Sequence, residues 1–230
     1  MDSYAPEELL ACVIARLLEG ARHAAVGASS PIPAAGCYLK KNIDPAFRIS
    51  LQQRRESNPF TEGSRELFDL AGQGRIDVFF LGGAQIDGAA NINLLRANGS
   101  RFPGSFGSAF MYPMVPRVIL FREEHSMRTL VRKVEFVSAA GNPQALLTGK
   151  ALFAWQKDKR RFRLESVHPG ASAEEVRSNT GFDYDVTGDV PVTAIPSEIE
   201  LTLLRTKVKT GIAPNYPDFA RRVWNKSATP

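Results

Sequence analysis

Two loops in this sequence gather the residue types that could hold a reacting group. The first is LGGAQIDGAANIN, Leu81 to Asn93. Gly82 and Gly83, followed by Ala84, sit where an apolar run ends, and residues this small let a ligand approach the backbone. In open α/β sheets, ligands bind outside the carboxyl ends of the strands. Gln85, Asn91 and Asn93 add amide donors and acceptors rather than acid–base groups. Read without a ligand, the same spacing is a tight strand-to-loop turn closed by Asx-type hydrogen bonds.

The second loop is RFPGSFGSAF, Arg101 to Phe110, with Gly104, Ser105, Phe106, Gly107, Ser108 and Ala109 just ahead of an apolar run at Val115. Free backbone N–H groups in such a loop can hold a carboxylate, a phosphate or a developing oxyanion. Ser105 and Ser108 lie outside the G-x-S-x-G pattern of an activated serine, and no serine–histidine–aspartate arrangement is legible. The Walker pattern of a nucleotide triphosphatase is missing too. No histidine, cysteine and carboxylate cluster has the spacing of metal ligands, so no metal is expected. His168, before Pro169 and Gly170, reads as a turn-packing residue. His125, in REEHSMR, reads as part of a charged surface loop. His23 falls near the end of the first helix, where a partly charged imidazole suits the negative end of the dipole.

These loops need elements to position them. PEELLACVIARLLEG carries Leu9, Leu10, Val13, Ile14, Leu17 and Leu18 on one helical face, with Pro6 in the first turn and Gly20 as the stop. A short strand AAVG follows, then the loop ASSPIPAAG, a helix over Pro33 to Lys41 and an extended run from Phe47 to Gln52. A helix is expected near Ser64 to Ala71, and RIDVFFLGG is a buried strand ending at the glycine pair. Further strands are expected at Val115 to Phe121, Lys133 to Ala139, Lys150 to Gln156 and Arg161 to Val167. Ser172 with Glu175, and Ser197 with Glu200, are capping boxes that open two later helices, the first ending at Gly181. Strands alternating with helices predict an α/β fold: an open, largely parallel sheet with helices on both faces. A single domain over 1–215 and a C-terminal tail over 216–230 are expected.

The composition is that of a globular chain, 43% hydrophobic and 23% charged over 230 residues, enough for a sizeable core. Cys12 and Cys37 are too few for a disulfide framework and suit buried free thiols in a reducing compartment. No apolar run approaches the ~18 residues a membrane span requires, and the acids Asp2, Glu7 and Glu8 are unlike a signal peptide. A cytoplasmic protein without a membrane partner is expected. The net charge of +5 favours anionic partners. The densest basic run, KDKRRFR at Lys157 to Arg163, reads as a solvated turn between strands, and no nucleic-acid motif is present.

Taken together, GRIDVFFLGGAQIDGAANIN, RFPGSFGSAF and VHPGASAEEVRSNTGFDYDV resemble the β-subunit half of the family I CoA-transferases. Glutaconate-type and 3-oxoacid-type enzymes are the nearest in character, and the match runs from about the first helix to Val186. The resemblance implies a homologous α-type partner subunit and coenzyme A, carried as an acyl thioester substrate. It implies a mechanism in which a glutamate attacks the acyl-CoA carbonyl, giving a mixed anhydride that keeps the acyl group activated. It also assigns CoA or substrate binding to Gly82, Gly83, Ala84, Gln85, Asn91 and Asn93, and to the loop around Gly104. Within that loop, Ser105, Phe106 and Gly107 take the role of backbone donors.

The chain departs from the family at the glutamate itself. That residue ends the short strand before the GGAQID strand, and here the segment is FRISLQQRRESNPF. Gln52 or Arg54 occupies the position, depending on register. Gln52 matches glutamate in shape but cannot form the anhydride; Glu56 and Glu62 further on read as solvated loop charges. The departure favours a branch that hydrolyses or ring-opens cyclic, steroid-derived acyl-CoA thioesters, with the catalytic acid on the partner. Ordinary transfer of CoA between carboxylic acids is the alternative, and a non-catalytic, ligand-binding regulator is a third reading.

Overall fold

A computed structural model describes residues 4–54, 58, 60, 62–97 and 99–225. The chain divides into two compact units. The first takes its described residues from Met1–Leu67, Arg75–Val78 and Ile195–Pro230. It opens with α1 (Pro6–Leu17), whose Leu9, Leu10, Val13 and Ile14 are buried as the apolar stripe predicts. Then come β1 (His23–Val26), α2 (Pro31–Ile43) and β2 (Arg48–Leu51). β1 and β2 pair in parallel, His23 opposite Arg48 and Val26 opposite Leu51. Gly36 lets α2 lie directly on α1: a Cβ there would come within 2.5 Å of Ile14 Cγ2 and 2.9 Å of the Ala11 carbonyl. The Asp77 N–H donates to the His23 carbonyl at 3.0 Å and ties the lead-in of the next strand to β1.

His23 is not at a helix end, as expected, but in the middle of this arrangement. Its Nδ1 lies 2.8 Å from the Arg75 carbonyl and its Nε2 2.8 Å from Ser50 Oγ. Burial lowers its pKa. The expectation failed because β1 already begins at His23, ahead of the AAVG run. Cys12 and Cys37 are free and buried, and burial pushes the Cys12 thiol up to about 12.

The first unit closes with α6 (Glu198–Leu203), a π-helical turn at Leu204–Val208, α7 (Lys209–Ile212) and α8 (Pro217–Trp224). The capping box forms as expected: Glu200 N–H donates to Ser197 Oγ at 3.2 Å, and Ser197 N–H donates to Glu200 Oε2 at 2.8 Å. The tail expected from 216 is corrected over 217–224. Pro217 starts a helix there, and Phe219, Ala220 and Val223 are buried. Glu8 anchors this end, accepting from Trp224 Nε1 at 3.1 Å and from Arg205 Nε at 2.9 Å.

The second unit is Phe68–Gly74 with Phe79–Ala194. It holds the rest of α3 (Ser64–Gly72) and most of β3 (Val78–Leu81), then α4 (Ser108–Met114), β8 (Arg117–Arg122), β9 (Ala145–Thr148), β10 (Ala151–Gln156), β11 (Arg161–Val167) and α5 (Ala173–Ser178). Between β3 and α4 lie four two-residue strands, β4 (Gln85–Ile86), β5 (Ile92–Asn93), β6 (Arg96–Ala97) and β7 (Ser100–Arg101). The strands of this unit follow the order β11-β10-β9-β8-β3; with the parallel β1–β2 pair of the first unit they give the expected α/β fold, mixed but mostly parallel. β8 and β9 are parallel, and β9, β10 and β11 are antiparallel neighbours. The basic run at Lys157 is the turn joining β10 to β11. Among the described residues no helix is long and apolar enough to cross a membrane.

Two expectations are corrected in this unit. Lys133 to Ala139 is not a strand, and β9, which was not anticipated, takes a place in the sheet. His125 is not on a charged surface: it is buried, with Nδ1 2.8 Å from Thr148 Oγ1 and Nε2 3.1 Å from Thr180 Oγ1. Burial drives its pKa down to about 4. His168 is buried beside the same threonine, its Nε2 2.9 Å from the Thr148 carbonyl, and burial lowers its pKa as well.

These shifts fix the sign of a pH effect. A histidine near 6.5 when unfolded and lower when folded binds more protons in the unfolded chain. The stability it contributes is therefore complete above about pH 6.5 and is lost as pH falls toward 4. For His125 the full loss is of order 2–3 kcal/mol. Thermal melting at pH 7.5, 6 and 4.5 is expected to show a steady fall in Tm, reduced in His125→Gln. A flat profile would refute the buried neutral imidazole.

Candidate functional site

The glycine-pair loop is built from its own side chains. β4 and β5 pair Gln85 with Asn93 and Ile86 with Ile92. Gln85 Oε1 accepts from Asn93 Nδ2 at 2.9 Å and from the Glu135 N–H at 3.0 Å, while its Nε2 donates to Glu135 Oε1 at 2.7 Å. Asn93 Oδ1 accepts from the N–H groups of Leu95 and Arg96. Asp87 accepts from Ala89 and Asn91 N–H, both at 3.0 Å, in an Asx turn that also holds Asn91 Nδ2. The amides of Gln85, Asn91 and Asn93 are thus committed to the loop itself. This explains why Lys133 to Ala139 reads as a strand yet is not one. The N–H groups of Val134 and Glu135 go to side chains, Asp87 and Gln85, and the end of the segment makes an isolated antiparallel bridge, Ala139 to Ile92, instead of a ladder.

Both glycines are required by close backbone approach. A Cβ on Gly83 would stand 2.6 Å from the Gln85 carbonyl, and one on Gly82 3.0 Å from the Phe121 carbonyl. Ala84 N–H donates to the Asn93 carbonyl at 2.8 Å.

The Gly104 loop is different in kind. Phe106 has φ of 44°, in the left-handed region, and its ring is exposed, 5.9 Å from the ring of Phe68. Gly107 precedes α4 against the same ring: a Cβ there would meet Phe68 Cζ at 2.2 Å. The N–H groups of Ser105, Phe106 and Gly107 have no hydrogen-bond partner among the described residues, whereas the Ser105 carbonyl accepts from Ser108 N–H at 3.1 Å. Such unpaired donors suit an anionic oxygen. Ser108 Oγ is buried and unpartnered, with no base beside it among the described residues.

Gln52 belongs to the first unit. Its N–H donates to the Val26 carbonyl at 3.1 Å, and its Nε2 is shielded from solvent with no hydrogen-bond partner among the described residues. The next residue, Gln53, accepts from Ser29 N–H at 2.6 Å. Arg54 is exposed, Glu56 lies outside the described residues, and Glu62 is exposed and paired with Arg65 at 3.3 Å. No group of three or more histidines, cysteines or carboxylates that could hold a metal ion occurs among the described residues.

Two contributors were not found from sequence. Phe68 forms the floor of the donor loop and Glu135 completes the Gln85 network, each tens of residues from the positions it serves. No local signal marks either, because both act across the fold.

No protein-family model matches the chain. Among curated proteins it is 27% identical to the B subunit of the 3-oxoadipate CoA-transferase of Pseudomonas knackmussii over 244 aligned positions, 89% of this chain and 94% of that protein. It is 28% identical to the B subunit of the glutaconate CoA-transferase of Acidaminococcus fermentans, over 59% of this chain and 58% of that one. It is likewise 28% identical to the cholesterol ring-cleaving hydrolase IpdB subunit of Rhodococcus jostii, over 61% and 62%. Among solved structures, glutaconate coenzyme A-transferase from Acidaminococcus fermentans superposes with a TM-score of 0.79 at 21% identity, covering 92% of this chain and 97% of that one. The decarboxylase AibA/AibB superposes with a TM-score of 0.78 at 23% identity, covering 88% and 94%. At these identities the structural likeness establishes the fold.

Proposed function

We propose that this chain is a β-type member of the family I CoA-transferases, and from that premise that it is one subunit of a heteromeric enzyme acting on an acyl-CoA thioester without supplying the nucleophile. The observation that carries this reading is Gln52. The resemblance puts Gln52 or Arg54, depending on register, where β-type chains place their glutamate; neither is a carboxylate, and the Gln52 amide nitrogen is shielded and without a hydrogen-bond partner among the described residues. An amide donates a hydrogen bond there but forms no acyl anhydride.

The reaction we favour is therefore hydrolysis or ring opening of a cyclic or steroid-derived acyl-CoA, with the catalytic carboxylate on an α-type partner. The likeness to the cholesterol ring-cleaving hydrolase subunit supports this choice of branch. For thioester hydrolysis, water adds to the acyl carbon with the partner's carboxylate taking its proton, and collapse of the oxyanion breaks the C–S bond and releases CoA as the thiol with that proton. The oxyanion forming on the carbonyl oxygen needs fixed donors. We assign that task to the N–H groups of Ser105, Phe106 and Gly107, which are preorganised and unpaired. Gly82 and Gly83 make room for the Phe121 and Gln85 carbonyls of the chain itself, and the Ala84 N–H is taken by the Asn93 carbonyl, so these residues act as framework. The side chains of Gln85, Asn91 and Asn93 act as framework, since their amides are already engaged. The two free buried thiols suit a cytoplasmic location.

CoA transfer is the second reading, favoured by the near full-length likeness to a 3-oxoadipate CoA-transferase. Both readings make the same demand. The isolated chain is expected to turn over acyl-CoA negligibly and to gain activity when co-purified with an α-type partner, as followed by loss of the starting acyl-CoA. Robust turnover by the chain alone would overturn the proposal. Release of a free acid without any acceptor carboxylate separates hydrolysis from transfer.

A further inference from the structure

Three aromatic rings of the second unit cluster at the donor loop. Phe68 is at the centre, 5.9 Å from the ring of Phe106 and 5.4 Å from that of Phe110. The outer two face solvent: Phe106 is 57% exposed and Phe110 41%. Met114, one helical turn past Phe110 on α4, is exposed as well and extends the apolar strip. Two observations set this cluster apart from stray apolar side chains on a surface. The first is conformational. Among the described residues Ser29, Ala90, Phe106 and Arg160 are the non-glycine positions with positive φ, and of these only Phe106 carries a large apolar side chain. Glycine would adopt this φ freely, whereas a residue with a Cβ is strained there. Core packing does not account for the strain, because more than half of the residue is exposed. The second is position. Phe106 supplies both a ring and one of the three unpaired N–H donors, so whatever those donors hold lies beside the ring.

We propose that Phe106 and Phe110, packed on Phe68, form the surface that receives the acyl group and select ring-bearing acyl groups over linear ones. The inference rests on the oxyanion role proposed above for Ser105, Phe106 and Gly107. With the acyl oxygen on those N–H groups, the acyl carbon is one bond further on, and its substituent starts within reach of the Phe106 ring. A ring meets aromatic faces edge-on or offset with no rotors to freeze, whereas a linear chain loses rotamer freedom for the same apolar contact. Phe68, Phe106, Phe110 and Met114 offer no charged group, so the surface recognises apolar shape and not a second carboxylate.

The test uses two carboxylates as probes, 2-naphthoate with fused rings and octanoate with a linear chain. Each is titrated by calorimetry into the full chain, as the parent, Phe106→Gly and Phe110→Ala. Phe106→Gly keeps the backbone donor and removes the strain, Phe110→Ala leaves the loop untouched, and circular dichroism checks that both fold. The parent is expected to bind 2-naphthoate about tenfold more tightly than octanoate, and each variant to lose most of that preference. Equal affinity for the two acids, no saturable binding of 2-naphthoate, or a preference that survives in both variants would overturn the proposal. In the assembled enzyme, the ratio of kcat/KM for a ring-bearing over a linear acyl-CoA is expected to fall by a similar factor in both variants. An unchanged ratio would overturn the assignment to the acyl group. So would loss of assembly with the α-type partner in both variants, which would make the rings a subunit contact. A naphthoate preference in an assembly that turns over no acyl-CoA would refute the enzymatic reading and leave the ring-selective surface standing.

Discussion

Borohydride added to the assembled enzyme during acyl-CoA turnover is expected to leave this chain without a reduced glutamate, whereas Gln52→Glu acquires one. The argument is chemical. A glutamate carboxylate attacks the acyl-CoA carbonyl and expels CoA thiolate, leaving a mixed anhydride. The thiolate then attacks the glutamyl carbonyl, releases the acyl group as its carboxylate and leaves the glutamyl thioester that borohydride reduces. The amide of Gln52 has its lone pair delocalised and offers only donors and a carbonyl oxygen. The local geometry favours the substitution: glutamate has the same shape, and the position already lacks a partner at Nε2. Leaving that group unpaired costs about 1–3 kcal/mol in the free chain, a cost that a bound carbonyl or carboxylate would remove. Mass spectrometry of peptides spanning Gln52 reads the outcome. A reduced glutamate on the parent chain would sink the reading of Gln52, while label confined to the α-type partner would support it.

The second large effect is on stability. Glu8 is 3% exposed and gathers four donors: Ala5 N–H at 2.9 Å, Arg205 Nε at 2.9 Å and Nη2 at 3.1 Å, and Trp224 Nε1 at 3.1 Å. Glu8→Ala strands these donors and opens a void between α1 and α8. Arg205 is 38% exposed and can turn to water, so the ion pair is discounted. Loss of the hydrogen bonds and packing is expected to cost about 2–3 kcal/mol. At this chain length that lowers Tm by roughly 5–10 °C. Glu8→Gln keeps an acceptor for Trp224 and should lose about half as much. Red-shifted tryptophan emission in Glu8→Ala would accompany release of Trp224. A Tm unchanged in Glu8→Ala would show that α8 is held by its apolar face alone.

Much of this fold is legible in the sequence because its signals are local. The apolar stripe of α1, the N-cap at Ser172, the capping box at Ser197 and the apolar β3 run each lie within one element, although Glu175 pairs with Lys150 instead of completing a box and α5 stops at Ser178 rather than Gly181. The glycine pair was legible for the same reason, since a tight turn imposes its own residue types. What stayed hidden depends on distant partners. REEHSMR looks solvated, but His125 is covered by Thr148 and Thr180, which no window around it contains. Lys133 to Ala139 has the composition of a strand, yet Asp87 and Gln85 take the donors of Val134 and Glu135. PDFARRVW is short and charged, and its docking combines burial of Phe219, Ala220 and Val223 with the distant acids Glu7 and Glu8. The candidate site divides in the same way. The Ser105–Gly107 donors follow from composition, whereas the aromatic cluster joins Phe68 to Phe106 and Phe110, which no motif unites.

The buried histidines carry one more consequence, in where their hydrogens must sit. His168 Nε2 faces the Thr148 carbonyl, which only accepts, so that nitrogen bears the hydrogen. Nδ1 is then an acceptor, and the Thr193 hydroxyl, 2.8 Å away, must point its hydrogen at the ring. Thr193 in turn receives the hydrogen of Ser166 Oγ at 2.6 Å, so the chain of hydroxyls runs in one direction only. His23 is set the other way: its Nδ1 faces the Arg75 carbonyl and carries the hydrogen, leaving Nε2 to accept from Ser50. One chain thus holds two neutral imidazoles in opposite tautomers, each dictated by a single backbone oxygen.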